Sequence, residues 1–333
     1  MTDQLHTDLP QALRRALDLL AERPANPDVS KGYLDLLTDE FATNTPKNTG
    51  LIQAAWASGI GSMLYDNAQA LARRVASVWQ LPVDWLNIPS GGVALDVGSG
   101  PGNVTAQLGQ ATGPDGLALG LDISEPMLAR AVQAQAGPNV GFMRADAQRL
   151  PLRDETVDAT TSLAVLQLIP NPAQTLAEMV RVLKPGGDFL FMAPKGEHGR
   201  AGFALKRVLG FTADQEGFGH ARDGYPLDKA RALMQRHGLT VRSVNSYCRL
   251  FTESLEDLLN YAYHRKAMKQ KQPSEQDFHG DTAPMSAEAL NKVGTAYKVY
   301  STIYPALRAW TLLDRLIPFS PGYMMVARAS KAA

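Results

Sequence analysis

Apolar residues along this chain follow two different rhythms. Up to about residue 85 they recur at helical spacing: in "LPQALRRALDLLAER", Leu13, Ala16, Leu17 and Leu20 fall on one stripe. The run "RPANPDVSKG" interrupts that pattern. A second long helical stretch goes from "TGLIQAAWASG" through "SMLYDNAQALARRVASVWQL", with a bend expected at Gly59 and Gly61.

From Val93 the texture changes to short apolar runs alternating with helical patterns. "VALDVG", "GLALGLD", "NVGFMRAD", "VDATTSL", "DFLFMAP", "LTVRSVNSYCRLF" and the final "GYMMVARAS" read as seven strands. Most are apolar at successive positions, as expected when helices cover both faces of a sheet, so the pattern predicts an α/β fold with a doubly wound, mostly parallel sheet. The helices between carry their own signals. Ser124 is placed to N-cap "EPMLARAVQAQA", with Gly137 past its end. Asn171 and Pro172 open "AQTLAEMVRVL", whose sheet-facing stripe is Leu176, Met179, Val180 and Leu183. "KPGG" turns that chain into the next strand, and Gly238 stops the helix "PLDKARALMQRHG". Between Thr252 and Phe319 lies a further helical block split by "KQPSEQDFHGDTAP"; with a strand after it, the block reads as an insertion before the last strand.

Composition narrows the functional classes. The 333 residues are 45% hydrophobic, enough for a sizeable buried core, and Lys plus Arg and Asp plus Glu both number 33. Nothing in that balance favours a nucleic-acid backbone as partner. The single cysteine, Cys248, excludes an internal disulfide and a cysteine-rich metal site. The N-terminus lacks a signal-peptide core, and nowhere do about eighteen uncharged apolar residues run together, so no transmembrane segment is expected and the location is read as cytoplasmic. No His, Asp and Glu stand at metal-ligand spacing, and no metal is expected.

Candidate chemistry sits in "ALDVGSGPGN", at the turn from the first sheet strand into a helix, where ligands of open parallel sheets bind. Gly98, Gly100 and Gly102 permit positive φ and a close approach to the backbone. A dinucleotide fingerprint needs its third glycine at position 103, which is Asn103; the glycine comes one residue early. The stretch Asp96, Val97, Gly98, Ser99, Gly100, Pro101, Gly102 resembles the first motif of the class I S-adenosylmethionine-dependent methyltransferases, of the type 11 kind. The resemblance is close from about Asn87 to Pro194. The N-terminal "KGYLDLL" and "SMLYDNAQALARRV" look similar to the leading segment of uncharacterised actinobacterial members.

That resemblance implies a Rossmann-like core, S-adenosylmethionine as cofactor, and a set of binding residues. Asp96 would attract the ligand's ammonium, directly or through water, where a diphosphate would be repelled. Asp122, in "LGLDIS", would accept both ribose hydroxyls, and Ile123 would pack on the adenine. Asp146, in "MRADAQRLPL", would accept from the adenine amino group, with the Ala147 backbone serving the ring. Ser99 belongs to the loop. Met127 is read as cofactor contact or as plain core, and Ser162 as cofactor contact or as backbone satisfaction. An Asp at a strand end is by itself ordinarily a cap or turn residue; three at successive strand ends beside one glycine loop are harder to explain that way.

The expected organisation is an N-terminal helical lid or substrate segment (1–86), a cofactor-binding core (87–251), a helical insertion (252–319) and a closing strand with tail (320–333). The methyl acceptor is read as a small or lipid-like molecule. The amphipathic "IYPALRAWTLLDRLIPF" is either a lid for such an acceptor, touching a membrane interface, or ordinary helical packing against the core or a second subunit. No catalytic side chain stands out; His198, His220, Tyr65 and Tyr225 are candidate bases by location alone. A scaffold that binds the cofactor without turnover is the alternative, and Gly102 and Asp96 argue against a nicotinamide-dependent reductase.

Overall fold

The computed structural model describes residues 9–37, 82–194, 227–247 and 324–333, with the short pieces 250–251, 305–306, 309–310, 312–317 and 322. The second N-terminal helical stretch, Tyr65, His198, His220, Tyr225, Cys248 and nearly all of the 252–319 block lie outside the described residues.

One sheet organises the described chain. Its strands are β1 (Leu34–Asp35), β2 (Val93–Val97), β3 (Leu117–Asp122), β4 (Val140–Arg144), β5 (Val157–Leu163), β6 (Leu183–Pro194), β7 (Leu239–Tyr247) and β8 (Met324–Lys331). The spatial order is β1-β4-β3-β2-β5-β6-β8-β7. All pairs from β1 to β6 are parallel, and β8 runs antiparallel to both neighbours. The expected closing strand is therefore an interior one, which explains why Met325, Val326, Ala327 and Ala329 are all fully buried. Strand order reverses at β2 and β5, which places the topological switch point between them.

The sheet has eight strands where the pattern predicted seven. The additional one is Leu34–Asp35, inside "KGYLDLL", a region expected to be helical. Two residues carry no readable period. What holds them is tertiary: pairing with Met143 and Arg144, and a 3.1 Å contact between Arg144 and the Asp35 carboxylate.

Helices α1 (Gln11–Leu17), α2 (Asn103–Thr112), α3 (Glu125–Gln135), α4 (Pro172–Val182) and α5 (Leu227–Arg236) cover both faces. On one face α1, α4 and α5 bury the larger alternate side chains of the strands, Leu95, Leu119, Leu121, Phe189 and Met325 among them. On the other, α2 and α3 meet small ones: Ala94, Ala118 and Ala159. The small residues let α2 lie close. A Cβ at Gly109 would stand 2.4 Å from Val140 Cγ2. The expected stripe is buried throughout, but only Leu13, Ala16 and Leu17 lie on α1; Leu20 follows its end and bridges to Leu152.

Local signals behave as written, with two corrections. Asn171 does cap α4, its side chain accepting from the Gln174 N–H at 3.2 Å. Ser124 occupies the N-cap position of α3 but makes no capping hydrogen bond through its side chain. Its own N–H donates to Asp122 at 2.8 Å, which fixes the turn into α3. "KPGG" does not precede β6; it lies within the strand as an irregularity, where pairing jumps from Val157↔Leu183 to Ala159↔Asp188 and Gly186 takes φ +75°.

Phe142 on β4, 1% exposed, lies under the turn that follows β2: the positions a Cβ would take at Gly102 and at Gly120 are 2.7 and 2.6 Å from its ring. Replacing it removes support from beneath that turn. Phe142→Ala should lower unfolding free energy by about 3–5 kcal/mol in urea titrations; a loss below about 1 kcal/mol would show that the turn carries itself.

Candidate functional site at the carboxyl ends of the strands

The turn between β2 and α2 is tied to β3 by its backbone. The N–H groups of Gly98 and Ser99 both donate to the Leu121 carbonyl, at 2.7 and 2.9 Å. Gly100 N–H donates to Asp122 Oδ2 at 2.8 Å. Gly98 and Gly102 take φ of +77° and +79°, the latter as N-cap of α2. Their lack of a side chain also serves the protein's own packing: a Cβ on Gly98 would sit 2.4 Å from Val165 and one on Gly102 against Phe142. The bare main chain expected for ligand approach is thus first a requirement of the fold.

Two carboxylates flank this turn. Asp96, 2% exposed, lies on the α2 face of the sheet, where Thr105 of α2 and Thr161 of β5 donate hydroxyls to its two oxygens at 2.8 and 2.9 Å. Burial raises its pKa to about 6, against the opposing pull of both threonines, and the neighbouring Asp122 adds to the rise. Asp122 accepts from Gly100 on one oxygen and from Ser124 N–H, at 2.8 Å, on the other. Burial raises its pKa too, opposed by the N–H groups of Ser124, Gly100 and Ile123. Each Asp122 oxygen keeps a second lone pair for a further donor. Among the described residues both acids are held by hydroxyls and amides, and no cation pairs with either. The local field therefore favours a positively charged guest and disfavours a diphosphate.

Asp146 lies two residues beyond β4, not at its last position, in a turn where Oδ1 accepts from Gln148 N–H at 2.8 Å. Gln148 Oε1 in turn accepts from Asn171 N–H at 3.2 Å, which ties this turn to the start of α4. Ile123 and Ala147 are half-buried beside the two acids in sequence, and the Ile123 carbonyl accepts from Arg144. Met127 is buried on α3 yet belongs to neither core cluster.

Four side-chain atoms around these strand ends are buried without a hydrogen-bond partner: Ser99 Oγ, Ser124 Oγ, Ser162 Oγ and Gln167 Oε1. Orphaned buried polar atoms are uncommon in folded proteins, and these four are places where a polar ligand or a water could bind. Thr105, Thr161 and Gln167 escaped the sequence reading. Their signal was there: a polar pair in the "TTS" of a strand buried on both faces, and a lone Gln in the apolar run "AVLQLIP". Among the described residues no three His, Cys, Asp or Glu side chains gather to hold a metal ion, and no helix is long and apolar enough to cross a membrane.

The family described as "Methyltransferase domain" matches residues 95–191, from the middle of β2 into β6, and so spans the glycine turn, both acids and the β5 rim. Over residues 95–191 the chain matches this domain family, which supports its resemblance to the class I S-adenosylmethionine-dependent methyltransferases. The chain is 40% identical across 108 residues to the demethylmenaquinone methyltransferase of Shouchella clausii, covering 32% of this chain and 46% of that protein. It is 34% identical across 138 residues to the 2-phytyl-1,4-naphtoquinone methyltransferase of Thermosynechococcus vestitus, covering 36% and 61%. The chain thus matches between about half and six-tenths of these two relatives. Among solved structures, the methyltransferase domain and its surroundings superpose on the protein described as a methyltransferase in complex with the Haloferax volcanii Trm112 activator. There the TM-score is 0.52 at 18% identity, over 85% of this chain and 97% of that one. The 4+2 cyclase SpnF gives 0.50 at 17%, over 81% and 94%. At such identities the likeness concerns the fold, and a fold hosts more than one chemistry.

The raised pKa of Asp96 makes a stability statement about the methyltransferase domain without ligand. The unfolded carboxyl titrates near 3.8 and the folded one near 6, so between those values the folded state retains a proton that the unfolded state has lost. Stability falls as pH rises through that window and is level above it. Between pH 5 and 7.5 the native protein should lose about 1 kcal/mol that Asp96→Asn does not lose. Urea denaturation of both proteins at the two pH values reads this difference, and parallel pH curves would contradict it.

Proposed function

We propose that this protein is a methyltransferase that binds S-adenosylmethionine at the carboxyl ends of β2 to β5 and methylates a small lipophilic acceptor. The observation that carries the reading is Asp122. One carboxylate holds the glycine turn through Gly100 and the start of α3 through Ser124, and still offers a lone pair on each oxygen to a vicinal diol. The residues present fit the cofactor: a bare turn for its chain, acids without cationic partners for its ammonium and sulfonium charge, and orphaned hydroxyls at the rim.

When bound, the cofactor supplies an electrophilic methyl group on positively charged sulfur. What the chain then has to contribute is mainly placement: the turn and Asp122 fix one partner, and the β5 rim fixes the direction from which the other arrives. A general base is optional for such a transfer, consistent with the lack of a convincing one in the sequence. Asp96 attracts the ammonium in this reading, directly or through water, since each of its oxygens keeps a lone pair beyond those given to Thr105 and Thr161. In this reading the acceptor side is assigned to the segments 1–86 and 252–319, apart from the α1 and β1 residues that build the core, and the location is the cytoplasm. Support for a lipophilic acceptor comes from the relatives named for menaquinone and phytylnaphthoquinone, and from the exposed Leu168 beside the rim.

Calorimetry with S-adenosylhomocysteine tests the carrying observation. The native protein should bind it, Asp122→Asn should bind about tenfold more weakly, and Asp122→Ala more weakly still, with melting temperatures recorded to separate binding from unfolding. Native affinity in a well-folded Asp122→Ala would refute the assignment.

A further inference from the structure

Three charged side chains stand in one row across the edge of the sheet. Asp122 on β3 is the register partner of Arg144 on β4, and Arg144 is in turn the partner of Asp35 on β1. Partners on neighbouring parallel strands lie about 4.8 Å apart and point to the same face. The row therefore sets a cation directly beside the acid assigned to the ribose. A guanidinium presents two N–H donors to a carboxylate much as a vicinal diol presents two hydroxyls, so Arg144 is the competitor that this acid has to be kept from.

The guanidinium is engaged elsewhere. Arg144 Nη1 lies 3.1 Å from Asp35 Oδ2 and 3.6 Å from Glu125 Oε2, and its Nε donates to the Ile123 carbonyl at 3.1 Å. Both of these acids are themselves held. Asp35 Oδ1 accepts from the Leu37 N–H at 3.4 Å, and Glu125 Oε1 is 2.7 Å from Lys31 Nζ. Backbone pairing fixes the outer end of the row, where the Leu36 N–H donates to the Arg144 carbonyl at 2.9 Å. Asp122 meanwhile accepts from the Gly100 and Ser124 amides and stays half-buried, open to a guest.

We propose that Asp35 and Glu125 are positioning residues for cofactor binding: they draw Arg144 toward the sheet edge and so keep Asp122 for the ribose diol. Asp35 lies outside the family-matched residues 95–191. The N-terminal segment thus completes the cofactor half of the site by charge, without touching the ligand. This inference rests on the methyltransferase reading.

The test reads ribose recognition by calorimetry. The native full-length protein should bind S-adenosylhomocysteine about tenfold more tightly than its 2′-deoxy analogue, which lacks one donor to Asp122. In Asp35→Asn/Glu125→Gln that preference should fall to about twofold or less, because Arg144 then turns to Asp122, and adding Arg144→Met should restore it. A general change of charge or a loosened fold would weaken both ligands alike and leave their ratio unchanged. Asp35→Asn alone keeps Glu125 in place and serves if the pair variant melts early; it should cut the preference by about threefold, again with rescue by Arg144→Met. A preference that persists in a folded acid variant, or one that Arg144→Met fails to restore, overturns the proposal. A native protein that binds S-adenosylhomocysteine without preferring the diol would instead strike the Asp122 assignment, and one that does not bind it at all the methyltransferase reading; either takes this inference with it.

Discussion

Leu121 and Asp122 between them take three consecutive N–H groups of the glycine turn, those of Gly98, Ser99 and Gly100. Everything at the carboxyl end of the sheet depends on this clasp. It bends the main chain off β2 and delivers it to Gly102, where α2 begins. The clasp exists only because β2 and β3 are paired in register, Asp96 with Gly120 and Val97 with Leu121. Sheet register and site geometry are one constraint. A slip of one residue would turn Asp122 to the opposite face and release the turn.

The same clasp sets the electrostatics. Asp122 is drawn in by the Gly100 and Ser124 amides, and Asp96, a strand away, accepts from the Thr105 and Thr161 hydroxyls. Burying two carboxylates near each other is unfavourable, and the raised pKa of both is the measure of that cost. A cationic guest relieves it. In the reading proposed above a sulfonium and an ammonium would relieve part of that cost, and no metal-binding cluster is present among the described residues.

Opposite the acids, the β5 rim is neutral. Ser162 and Gln167 bring uncharged polar atoms, and Leu168 an apolar one. Charge on one side of the switch point and neutrality on the other divide the site into two halves. Such a division suits a reaction between a charged nucleoside donor and an uncharged, oily acceptor. The likeness to proteins as different in name as a methyltransferase and a 4+2 cyclase concerns the fold, and the sheet alone does not choose the chemistry.

Much of this was legible in the sequence. Seven strands, the helices between them, the Asn171 cap and the glycine turn all declare themselves through local pattern, because each is decided by residues near it in the chain. Asp96, Asp122 and Asp146 were identifiable for the same reason, as polar residues where apolar runs end. What tertiary structure alone decided are the matters that need distant partners. Leu34–Asp35 became a strand because Met143 and Arg144 offered an edge. Ser124 holds the N-cap position of α3 without a capping bond from its hydroxyl, while its N–H donates to Asp122. Gly98 and Gly102 are confined by Val165 and Phe142, from β-strand neighbourhoods forty or more residues away. Gln167, a single amide in an apolar run, gained meaning only when the fold buried it and left its oxygen without a donor. Local pattern fixes period, and hence elements; which hydrogen bonds are made and which are left open is settled by packing, since burial and partnership belong to pairs of residues and not to either one.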